Sequence, residues 1–114
     1  MKLLLLMLMF TVTSLVHAFS EIADTKKRKA MDYSVCSVYF HYLEDKVKED
    51  YFNEHGPELV GRSKDSKNKK LRKWKNRIKN AKLQIAAETN NNPTRSVLTS
   101  KYGKKCNLIY TGSD

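Results

Sequence analysis

Between Ser66 and Glu88 the apolar residues Leu71, Trp74, Ile78, Ala81 and Ile85 follow one another at steps of three, four, three and four. At about 100° per residue this spacing confines them to an arc of about 80°, a stripe that a helix can bury and that the two-residue period of a strand would scatter. The segment is therefore predicted to be a helix with one narrow apolar seam, ended by Asn90-Asn91-Asn92-Pro93. The rest of its circumference carries Lys69, Lys70, Arg72, Lys73, Lys75, Arg77, Lys79 and Lys82, and no acidic residue lies between Lys67 and Lys82. Like charges one turn apart repel, so such a helix depends on packing its seam against another element.

The upstream segment supplies that element. From Ala30 to about Phe52 the positions Cys36, Tyr39 or Phe40, Leu43, Val47 and Tyr51 recur at helical steps, with Glu44, Asp45, Lys46, Lys48, Glu49 and Asp50 between them. Asp32 and Ser34 can cap the start, and Gly56-Pro57 is expected to stop the helix between Tyr51 and His55. Tyr33, Tyr39, Phe40, Tyr42, Tyr51 and Phe52 exceed one stripe, so some are expected at the surface. Residues 57–66 read as a connector. Thr94 to Tyr102 reads as a short third helix, opened by Pro93 and closed by Gly103, with a tail from Lys104 to Asp114. The expected fold is all-α: a small helical domain of two long antiparallel helices plus a short third helix, clamped by one disulfide.

The clamp matters because the core is thin. Lys2 precedes the apolar run Leu3–Phe10, and Val16-His17-Ala18 offers a cleavage site, so residues 1–18 read as a secretory signal peptide. The run is about half of what a membrane span requires, and no transmembrane anchor is expected. Cleavage after Ala18 leaves 96 residues that keep 21 of the 22 basic side chains and all 12 acidic ones, yet hold only 18 Val, Ile, Leu and Phe. That composition lies near the border below which highly charged chains stay unfolded. In an exported chain the only two cysteines, Cys36 and Cys106, are expected to pair. Residues 19–29 read as a flexible basic N-terminus and 30–114 as a single helical domain. The run Lys26-Lys27-Arg28-Lys29 is read as a solvated basic stretch rather than as a processing site.

No arrangement of His, Cys, Asp and Glu has metal-ligand spacing, and no nucleophile turn is visible, so no metal, cofactor or enzymatic activity is expected. His41 and His55 read as surface or helix-end residues. The functional candidate is the basic helix. Leu71-Arg72-Lys73-Trp74-Lys75-Asn76 places cations on successive turns in the order often found in heparin-binding segments, and such a row releases counterions from a polyanion. A leader directs the chain away from nucleic acid. The remaining partners are an acidic extracellular protein or a sulfated glycosaminoglycan, with membrane lysis by a basic amphipathic helix as a third possibility. The chain is expected to act as a monomer.

The leader cut at Ala18, the small basic mature chain, the two cysteines and the absence of an enzyme motif resemble the small salivary proteins that blood-feeding flies inject into a host. Among these, the chain is most similar in outline to sand-fly salivary inhibitors of the classical complement pathway. The resemblance covers size and character and carries no binding residue across. It implies a secreted inhibitor that binds a component of complement, or of clotting, rather than cleaving it.

Overall fold

The computed structural model describes residues 25–112, and residues 1–18, expected to be a signal peptide, lie outside them. The described residues form four helical segments: α1 over residues 25–42, α2 over Lys46–Val60, α3 over Lys67–Glu88, and a last segment in which α4 (Arg95–Leu98) passes through a π-helical stretch (Thr99–Gly103) into α5 (Lys104–Thr111). The all-helical class is as expected, but there are three long helices rather than two.

The expected helix over Ala30–Phe52 is in fact two helices. At its break, Glu44 takes a left-handed backbone (φ 59°), and the N–H groups of Glu44 and Asp45 bond to the carbonyls of His41 and Phe40, which closes α1. Asp45 then caps α2 by accepting from the Lys48 N–H at 3.3 Å. The connections Lys26 to Gly61, Ser37 to Asn53 and His41 to Glu49 run in opposite directions along α1 and α2, so these two are antiparallel. Asn53 to Trp74 and Glu58 to Lys70 make α2 antiparallel to α3 in turn. The helix bearing Cys36 and the helix bearing Trp74 therefore run the same way, correcting the antiparallel pairing expected of them.

Pro57 does not stop α2, which continues to Val60 with Gly61 as its cap. Proline disfavours a helical predecessor because its ring meets that residue's Cβ, and Gly56 has none. Gly56 also packs against Trp74, where a Cβ would overlap the indole ring. Gly103 likewise stands within a helix, facing the Tyr39 hydroxyl. The actual stop is Gly112, left-handed at φ 76°, whose N–H bonds to the Ile109 carbonyl.

Every residue from Tyr33 to Phe40 is buried. The middle of α1 is thus a central rod covered on all sides rather than an amphipathic stretch with one inner face, while its two ends are exposed. Both serines in this stretch have acceptors, Ser34 the Met31 carbonyl within α1 and Ser37 the side chain of Asn53 on α2. Of the six aromatic residues, some of which were expected at the surface, four are core: Phe40 stacks on Phe52 at 5.8 Å, Tyr33 meets Phe52 edge-on at 5.1 Å, and Tyr39 lies 4.9 Å from Phe40. Tyr42 alone of the set is well exposed.

Cys36 and Cys106 form the expected disulfide, with Cα atoms 5.3 Å apart and both residues buried. It fastens α5 to the rod, supported by Lys105 on Asp32 at 2.9 Å and Tyr110 edge-on to Tyr51 at 5.1 Å. Tyr102 donates its hydroxyl to Glu88, joining the last segment to the end of α3. The Tyr102 bond, with one from Gln84, lowers the Glu88 carboxyl, while burial and then Glu88 raise the Tyr102 phenol. Helix α1 already includes residues 25–29, where a flexible lead was expected; the remainder of that lead, 19–24, lies outside the described residues.

Candidate functional site

The eight proposed cations of α3 divide into two groups. Lys69, Lys70 and Lys73 are held by carboxylates from just outside the helix: Asp65 takes Lys73 at 2.7 Å and Lys69 at 3.3 Å, and Glu58 of α2 takes Lys70 at 2.9 Å. Asp65 is nearly enclosed, with 5 % of its side chain exposed. The Lys73 ammonium, the Arg62 backbone N–H and Lys69 together hold its carboxyl well below the usual range, against the opposing effect of burial. Ser66 caps α3 alongside it, accepting from the Lys69 N–H. These three lysines and Asp65 form the cap and hinge of the α2–α3 turn, so they bear on folding.

Arg72, Lys75, Arg77, Lys79 and Lys82 make no ion pair among the described residues. Arg77 is half-buried and stands on the flank opposite the others. Arg72, Lys75, Lys79 and Lys82 are exposed, share an arc of about 80°, and extend about 15 Å along the axis at 1.5 Å per residue.

Next to this row, α2 and α3 leave a cleft of about 520 Å³ lined by Asn53, Leu71, Trp74, Lys75, Ile78, Lys79 and Lys82. Its floor is apolar. Leu71 is 36 % exposed and Ile78 half-buried, while Trp74 is buried with its Nε1 donating to Asn53 at 3.1 Å. A smaller cavity of about 110 Å³ shares Asn53, Ile78 and Lys82 and reaches the pair His41–Glu49, 2.9 Å apart. His55 lies against the Tyr51 ring at 4.4 Å.

No family model, curated protein or solved structure matches the chain. The site therefore stands on its geometry. Among the described residues no three of His, Cys, Asp and Glu are grouped to hold a metal ion, and no helix is long and apolar enough to cross a membrane. The seam residues Trp74, Ala81 and Ile85 are buried, which occupies the face that α3 would need to lie in a bilayer.

Sequence reasoning missed Asn53, which lines the cleft and accepts from both Ser37 and Trp74 through one oxygen. Nothing local marks it, because its role depends on α1 and α3 meeting at α2. Leu71 was readable as the outermost member of the seam, and its exposure follows from that position.

Proposed function

We propose that the protein is an exported binding protein that engages an acidic surface on an extracellular partner through Arg72, Lys75, Lys79 and Lys82. The observation that carries this reading is the absence of carboxylate partners for those four among the described residues, on a helix where Lys69, Lys70 and Lys73 are paired. Unpaired cations in a row raise association rates with acidic surfaces, and no internal ion pair has to break for them to engage one. The disulfide is compatible with an exported chain. What supports a host plasma cascade, complement or clotting, as the setting is the resemblance in leader, size and charge to salivary inhibitors.

Inhibition of complement-mediated red-cell lysis by the purified chain is the direct test. Lys75→Glu with Lys79→Glu should abolish inhibition and leave the circular dichroism unchanged; full inhibition by that variant would remove the site. A second reading, binding to a sulfated glycosaminoglycan, is favoured by the linear spacing of the row. Elution from a heparin column at salt well above that needed on an ordinary cation exchanger would select it.

A further inference from the structure

We infer that the α2–α3 cleft seats a large apolar side chain of an acidic peptide segment on the partner, the flanking carboxylates of that segment pairing with Lys75, Lys79 and Lys82. This rests on the proposed function and names the kind of surface engaged.

The recognition chemistry comes from two unlike halves of one cleft. Lys75, Lys79 and Lys82 follow at steps of four and three, so their ammonium groups rise from successive turns along one rim. Between that rim and α2 lies the apolar floor of Leu71, Ile78 and the edge of Trp74. Asn53 lines the cleft as well; its Oδ1 is taken by Ser37 and Trp74, which leaves its amide N–H groups as donors without a partner among the described residues. An occupant must therefore bring an apolar group, negative charge beside it and an acceptor for an amide. A peptide with an aromatic or aliphatic residue between carboxylates has all three, the acceptor being its own backbone carbonyl.

Exposure selects among occupants. Pockets for small molecules enclose most of the ligand, whereas here the floor leucine and all three rim lysines are exposed. A protein segment closes such a shallow cleft with its own surroundings, as the rim of a binding hot spot does. A sulfated sugar chain would satisfy the lysines and leave the floor wet.

Trp74 is the only tryptophan in the chain, so its fluorescence reports occupancy directly. Two peptides, Glu-Asp-Phe-Asp-Glu and Glu-Asp-Ser-Asp-Glu, are titrated into the disulfide-intact chain. The Phe peptide should bind at least tenfold more tightly than the Ser peptide and shift the Trp74 emission. Leu71→Ser should erase that preference and keep the weak, salt-sensitive binding of both, while Lys75→Glu with Lys79→Glu should lose both. Equal affinities for the two peptides on the unaltered chain would overturn the inference, a result that needs no variant to fold. So would a heparin oligosaccharide or phosphatidylserine vesicles binding more tightly than the Phe peptide and indifferent to Leu71→Ser. Equal affinities with a strong effect of charge reversal would remove the cleft and leave the proposed function in place; no effect of charge reversal would remove both.

Discussion

Trp74 donates its indole N–H to the Oδ1 of Asn53 at 3.1 Å, and Ser37 donates to the same oxygen at 2.6 Å. One amide oxygen thus joins α1, α2 and α3. Replacing Asn53 with Ala strands two donors in or near the core, and an unmet buried donor costs about 1–3 kcal/mol. Asn53→Ala should lower the unfolding free energy by about 2–3 kcal/mol in a urea titration, with the Trp74 emission changed in the native state. Asn53→Asp keeps the acceptor and should cost less.

Gly56→Ala should destabilise, against the usual rule. Alanine in a helix interior is favoured over glycine by about 0.5–1 kcal/mol, but overpacking a filled site costs about 1–3 kcal/mol. The added methyl would overlap the Trp74 ring, and that ring is held by Asn53. A lower thermal midpoint is expected; a raised one would show that Trp74 moves freely.

The disulfide spans 70 residues of chain, for which loop entropy predicts about 4 kcal/mol of stabilisation. A small domain has about 5–15 kcal/mol in total. Cys36→Ala with Cys106→Ala should leave a chain that is largely unfolded or fluctuating at 37 °C, seen as lost near-ultraviolet dichroism.

Asp65 should shape the acid limb of stability. Its folded carboxyl titrates below the ordinary value of 3.8, so its contribution is fully present above about pH 4 and is lost as the pH falls through the lower folded value. Asp65→Asn should be less stable at neutral pH and should show a flatter decline between about pH 4 and pH 2. An unchanged slope would mean that Lys73 and Lys69 are not its partners in solution.

The same carboxylate separates two kinds of lysine. Lys73→Ala should weaken folding and leave partner binding within about twofold, because its ammonium is already engaged by Asp65. Lys79→Ala should do the reverse, weakening partner binding with no change in the thermal midpoint.

Much of this was legible because it depends on spacing. The seam of α3 and the Cys36–Cys106 pair follow from periodicity and compartment, and both are present. The break at Glu44 was hidden because a non-glycine residue takes the left-handed position there and the helical spacing of apolar residues runs on across it. Gly56-Pro57 misled for a tertiary reason: the missing Cβ that makes glycine a helix breaker is what admits Trp74 here. In the site, the row of cations could be seen, but which of them were free could not. Asp65 and Glu58 lie outside the stretch that contains the lysines they neutralise.

The wrapped rod of α1 separates what this lineage can vary from what it must keep. With eight consecutive enclosed positions and a covalent tie at Cys36, substitutions there would be felt throughout the core, while the outward sides of α2 and α3 can drift as a target changes. Distant kin should therefore share Tyr33-Ser34-Val35-Cys36-Ser37-Val38-Tyr39-Phe40 and a second cysteine some 70 positions on, even where their lysines have been reshuffled beyond alignment.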